Sequence, residues 1–175
     1  MSTIDMPAEA AIPDSALARA ITAFVRDTET ALLFNHSSRV YQFGALAGYR
    51  RGLRYDRELL YAGAMFHDLG LMPGHSSAGE RFEVDGADAA RDFLKAHGVP
   101  EADVYTVWTA IAPHPTTGLP VHMHPVVALV TAGAAMDALG LTSDAHSDAA
   151  RAAVVAASPP EPALTVGLIH SFSAA

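Results

Sequence analysis

Apolar side chains recur along the chain at intervals of three and four residues, the period of a helix, and no segment sustains the alternation of a strand. Asp14 or Ser15 can cap a first helix, with Leu17, Ile21, Phe24 and Val25 at helical spacing behind it. A second pattern runs from about Ser37 to Arg51 and closes at Gly52; a third runs from about Asp56 to Leu69 and stops at Gly70 and Pro73. Beyond the polar stretch "GHSSAGERFEVDG", a fourth helix is predicted over Gly86 to His97 and a fifth over Glu101 to Ala112. The fifth carries Val104, Val107, Trp108 and Ile111 on one face. The run "PHPTTGLPVHMHP" breaks the pattern, which resumes from Pro125, a favourable first-turn residue, to Leu139 and Gly140, and again over Ser147 to Ala157. Six to seven helices packed by their apolar stripes make an all-α bundle. One domain is expected over 14–158, with a loose tail at 1–13 and a C-terminal tail at 159–175 that the pattern does not assign.

Three of the apolar stripes carry a side chain that does not belong in a core. Leu60, Gly63, Ala64 and His67 share one face of the third helix, and Val126, Val130, Gly133 and Asp137 share one face of the sixth. If the second helix begins by His36, then His36, Val40, Phe43 and Ala47 make a third such stripe. A buried carboxylate costs several kcal/mol unless it is neutralised, paired or bound to a metal. Asp68 follows His67, and neighbours in a helix project about 100° apart, so the pair can reach one ion only near a helix end, where Gly70 and Pro73 lie. An inward histidine hydrogen-bonded to a carbonyl, or an aspartate paired with a buried arginine, explains each stripe singly. A shared metal ion explains all of them together.

Composition narrows the choice. The 175 residues include no cysteine, so a metal must be held by His, Asp or Glu, and thiol chemistry is excluded. Two imidazoles with two carboxylates suit zinc, iron or manganese better than calcium. The net charge of −8 repels nucleic acid and anionic membranes and favours a small-molecule substrate. The longest apolar run, Val126 to Met136, is too short to span a bilayer, and "MSTIDMPAEA" lacks a signal-peptide pattern, so a cytoplasmic location is expected. The alanine-rich helices can pack internally or in a homo-oligomer.

The order His36, His67-Asp68, Asp137 on successive helices resembles the HD-domain metalloenzyme superfamily, named for its adjacent His-Asp pair. The words "FNHSSRVYQFG", "AGAMFHDLGL", "ERFEVDGADAARDFL", "VWTAIAPH" and "HPVVALVTAGAAMDALG" resemble most closely its cyanamide hydratase group, over about residues 30 to 140. The resemblance implies a compact all-helical HD fold and one divalent ion, zinc by preference with iron or manganese as alternatives, held by His36, His67, Asp68 and Asp137. It further implies that metal-bound hydroxide adds to a nitrile carbon, as in the hydration of cyanamide to urea. Asp68 would orient or deprotonate the water, and His114, Glu83 or Arg39 would serve the developing nitrogen anion.

Each of these side chains has a plainer role beside the catalytic one. Arg39 can orient a ligand or form a surface salt bridge, and Glu83 can cap a helix. Asn35, Phe66, Phe82 and Trp108 are candidate substrate contacts whose spacing also suits core packing. His114 stands between two prolines where the resemblance leads one to expect an "LHT"-like word, which marks the pocket edge as the place of departure. A nucleotide or phosphate-ester hydrolase is the main alternative, with Arg50, Arg51, Arg54 and Arg57 of "YRRGLRYDR" as the candidate clamp or as a solvated helix end. A di-iron site would draw on His75, His97, His114, His122 or His124, and a mononuclear site is the simpler expectation. A non-catalytic ligand-sensing module is the remaining alternative.

Overall fold

The computed structural model describes residues 10–140 and 148–160. Most of the expected N- and C-terminal tails, and Ser147 at the expected start of the last helix, lie outside the described residues. Helix α1 spans Ala16–Thr28, with Ser15 capping it by accepting the Ala18 N–H. Glu29 ends it and Thr30 at once caps α2, Ala31–Arg50, by accepting the Leu33 N–H. That cap starts α2 six residues before Ser37, where the apolar pattern places it, and carries His36 a full turn into regular helix.

Helix α3, Arg57–Phe66, is capped by Asp56, whose carboxylate accepts two backbone N–H groups. It stops short of the expected Leu69. His67 keeps helical dihedrals, Asp68 turns to φ −107° and ψ 4°, and Leu69–Leu71 tightens into a 3₁₀ turn. Helix α4 spans Phe82–Ala96, four residues longer at its start than expected. Asp85 in its first turn accepts the Ser77 N–H and hydroxyl and pins the preceding loop. Helices α5, Glu101–Ile111, and α6, Pro125–Leu139, follow the expected bounds, and Gly140 closes α6 at φ 64°. Helix α7 spans Asp148–Ala157. The described residues contain no strand, as the periodicity requires.

Helix α2 is buried on all sides from His36 to Gly48 and forms the axis of the bundle, with α6, α3 and α7 against it. Its crossing with α6 is close because Gly133 stands on the contact: a Cβ there would lie 2.1 Å from the Val40 carbonyl oxygen. This crossing brings the start of α2 to the end of α6, so His36 meets Asp137. Helix α3 lies across both, and α5 packs on α3 and α6. The C-terminal end of α3, the start of α2 and the C-terminal half of α6 therefore converge.

Candidate metal centre

Four helices deliver side chains to that convergence. His36 comes from α2, His67 and Asp68 from the end of α3, His114 from the turn after α5 and Asp137 from α6; all are buried, Asp137 by its side chain. The turn of backbone at Asp68 swings both members of the His-Asp pair to the same side. His36 Nε2 and His67 Nε2 are each 3.4 Å from Asp68 Oδ2, and 3.2 Å from one another. On the other side of the carboxylate, His114 Nε2 lies 3.8 Å from Asp68 Oδ1.

The second nitrogen of each ring decides what the first can do. His67 Nδ1 is 2.7 Å from the Ala64 carbonyl and His114 Nδ1 is 2.8 Å from the Ile111 carbonyl. A carbonyl only accepts, so both rings donate from Nδ1 and present Nε2 as a lone pair. His36 Nδ1 donates likewise to Asp137 Oδ2 at 2.6 Å. Arg39, one turn along α2, grips the same carboxylate as a fork, Nε to Oδ1 at 2.6 Å and Nη2 to Oδ2 at 2.9 Å, and its Nη1 donates to the Ser158 carbonyl at 2.9 Å. Arg39 is buried, which replaces the surface salt bridge considered from the sequence.

Charge follows from this wiring. Burial pulls the His36 pKa down, but the Asp137 hydrogen bond and the Asp68 carboxylate outweigh it and raise it to about 9. Burial dominates at His67 and lowers it to about 3, so that ring is neutral. Burial opposes ionisation of Asp68 as well, yet the surrounding imidazoles hold its carboxyl well below the usual carboxylate range. Asp137 is held low in the same way by His36 and Arg39, and burial depresses His114.

A divalent ion fits these residues. Both Asp68 oxygens are buried and make no well-formed hydrogen bond; without a metal only the His36 imidazolium, 3.4 Å from Oδ2, offsets the carboxylate, a place that a divalent ion can take. The donor atoms of His36, His67 and Asp68 all lie within 4.8 Å of one another. Separations of 3.2–3.4 Å match the ~3.3 Å expected between ligands of a tetrahedral ion bound at ~2.0–2.1 Å. Asp137, which the resemblance implies as a fourth ligand, stands instead behind His36, with both oxygens engaged by His36 and Arg39.

A cavity of about 170 Å³ opens onto this cluster, with His36, His67, Asp68 and His114 at its polar end. Its remaining wall comes from Pro115 to Thr117, from the α6 stripe Thr131, Ala134, Ala135 and Ala138, and from Leu139 at the end of that helix. Several expected substrate contacts lie elsewhere. Phe66 is buried in a stack with Phe24 and Phe93, at ring separations of 5.7 and 5.3 Å, so it is a core residue. Trp108 donates to Asp88 on the far side of α5 and lines a surface groove with Tyr105. Asn35 donates outward to the Pro159 carbonyl. Phe82 and Glu83 line a neighbouring groove that shares only Pro115 with the cavity; Glu83 is buried and ion-paired to Arg81.

One buried carboxyl beside the site escaped sequence reasoning. Glu29, at the junction of α1 and α2, accepts from Ser37 Oγ at 3.3 Å, and its other oxygen has no partner. Burial, reinforced by the charge of Asp68, raises it to about 8. The signal was present in "TET", where Thr30 caps a helix that the apolar pattern started too late.

An all-α bundle that buries a histidine pair and an aspartate at the end of one helix defines a class of metal-binding domain. The HD domain model matches residues 33–140, and the chain belongs to that family. HD domains are typically metal-dependent hydrolases that bind divalent ions. No curated protein matches the chain.

Proposed function

We propose that this protein hydrates or hydrolyses a small, uncharged molecule, with cyanamide- or nitrile-type hydration favoured and zinc the preferred ion over iron or manganese. The observation that carries this reading is the cavity: it is small, mostly apolar and has no Lys or Arg in its wall. At about 170 Å³ it falls below the ~300–1,000 Å³ of sites for drug-sized ligands. All eleven Lys and Arg of the chain lie among the described residues, so no cation is left for residues outside them to supply. Arg39 is committed to Asp137 and Ser158, and Arg54 and Arg57 line a separate groove with Tyr49. The exposed Arg81 lies across Pro115 in the neighbouring groove, paired to Glu83, which leaves a phosphate ester without a built clamp.

His36, His67 and Asp68 would hold the ion, whose Lewis acidity polarises the substrate and makes water acidic near neutral pH. Asp137 braces His36 through Nδ1, and Arg39 braces Asp137, so the ring cannot rotate away. Asp68 Oδ1 and His114 Nε2 are both acceptors facing the inner end of the cavity and can take a proton from the attacking water. In nitrile hydration the water oxygen bonds to carbon and that proton returns from His114 or Asp68 to the nitrogen, giving the imidic acid, whose remaining hydroxyl proton then shifts to the same nitrogen to leave the amide. His114 therefore accepts before it donates, while Glu83 is paired to Arg81 and lines the neighbouring groove instead of the cavity.

The test is a panel of cyanamide, other nitriles, nucleoside monophosphates and a generic phosphate ester, assayed with zinc, iron and manganese. Urea from cyanamide is the expected product. Phosphate release without urea would overturn the ordering. His67→Ala and Asp68→Ala are each expected to lose the bound ion by elemental analysis.

A further inference from the structure

The cavity that ends on the metal centre changes character along its length. Its inner end is formed by His36, His67, Asp68 and His114, all of them buried. Half-buried Ala134, Ala135 and Ala138 of α6 make its middle section, and the exposed Pro115, Thr116, Thr117 and Leu139 its rim. Thr131 also lines it, but the Thr131 Oγ1 is shut off from solvent and offers the space no hydroxyl. The α6 backbone in the middle section is bonded within its own helix. A ligand that reaches from the rim to the cluster therefore passes a stretch of wall that is hydrocarbon.

Helix α6 is not short of large side chains, since its buried residues include Val126, Val127, Leu129, Val130 and Met136. Toward the cavity it carries three alanines instead, and a leucine at any of them would take up part of the space. Asp68, at the inner end, has both oxygens buried without a well-formed hydrogen bond, which marks the space as the approach to the metal centre. One end of the cavity thus calls for a polar group and the middle for an apolar one.

We infer that the alanine-lined section is a hydrocarbon subsite, and that the substrate is a nitrile carrying an alkyl group of about four carbons, the class to which valeronitrile belongs. This rests on the reading of the cavity as the site of a small uncharged substrate. An apolar cavity of ~150 Å³ binds benzene, and this one is about 170 Å³. Space of that size takes a nitrile group at the polar end with about four carbons along the alanines. A polar group in the middle section gives up its bonds to water and finds none in return, whereas each methylene there leaves water for hydrocarbon. Cyanamide fills the polar end alone.

The uncharged amides from acetamide through propionamide, butyramide and valeramide to hexanamide, titrated by NMR into the zinc-loaded protein, give the primary readout. Affinity is expected to tighten about fourfold per methylene as far as valeramide and to level off at hexanamide, whose end passes the rim into water. Ala135→Leu and Ala138→Leu each fill part of the subsite, and each is expected to reduce the preference for valeramide over acetamide from about sixtyfold to a few-fold. The parent series needs no variant to fold: equal affinities along it, no binding at all, or a gain that continues undiminished through hexanamide overturns the assignment. So does a preference that survives in both leucine variants. Failure of every nitrile to be hydrated would instead sink the hydration reading alone, because the binding series needs no turnover. Where nitriles are turned over, kcat/KM is expected to rise from acetonitrile to valeronitrile by a factor similar to that for the amides, with cyanamide near acetonitrile.

Discussion

His36 holds a proton in the metal-free protein because two carboxylates outweigh its burial, and any ion that binds must displace that proton from Nε2. Affinity for zinc is therefore expected to tighten with pH, about tenfold per unit, until pH reaches the His36 value of about 9, and then to level off. Competition titrations with a chelator from pH 6 to 10 check this; a flat profile would mean that His36 is already neutral. Glu29 behaves in the opposite sense. Its carboxyl, ordinarily 4.5, is raised to about 8, so the fold keeps a proton that the unfolded chain has lost. The stability this group contributes is full below about pH 4.5 and is lost as pH rises through about 8. Glu29→Gln cannot ionise, so urea denaturation of the metal-free variant is expected to gain on the parent between pH 5 and pH 8. Glu29 was invisible to stripe counting because it lies on no helical face; it is the C-terminal cap of α1, directly followed by the Thr30 cap of α2.

Among the elements, the crossing of α2 and α6 carries the greatest weight. Gly133 sits where a Cβ would strike the Val40 carbonyl, and Val40 lies one turn beyond His36. Gly133→Ala is expected to force the helices apart, cost about 1–3 kcal/mol in denaturant unfolding and stretch the His36–Asp137 bond. The helices themselves were legible from period and punctuation: α5 and α6 begin and end where their prolines and glycines place them. The starts of α2 and α4 were missed because caps and loop anchors such as Thr30 and the Ser77–Asp85 bonds set them, while the apolar face only begins later. The end of α3 came early because regular helix would splay His67 from Asp68; the altered dihedrals at Asp68 let both face one point.

At the scale of the molecule, the charge of −8 and a cavity without Lys or Arg act together on substrate choice. A neutral substrate feels little of that field, so its kcat/KM is expected to change less than about twofold between 0.02 and 0.5 M salt, whereas an anionic ester relieved of repulsion would gain. Steady-state rates at several ionic strengths distinguish the two. No helix among the described residues is long and apolar enough to cross a membrane. The site takes part of its identity from the whole: the Ser158 carbonyl after α7 holds Arg39, which holds Asp137, which holds His36.

"MFHDLGL", three polar-bearing stripes and the absence of cysteine were enough to establish an all-α protein with an imidazole–carboxylate cluster, because helical period and ligand chemistry are local properties. Which carboxylate stands in the cluster and which braces it was decided only by packing. Asp68 and Asp137 are alike as residues on inward faces, but Arg39 bonds both oxygens of one, while those of the other face only imidazoles and make no well-formed hydrogen bond. Phe66 and Thr131 separate in the same way, one closed into an aromatic stack and the other open to the cavity. A sequence shows which face a side chain takes; only the crossing helices show what meets it there.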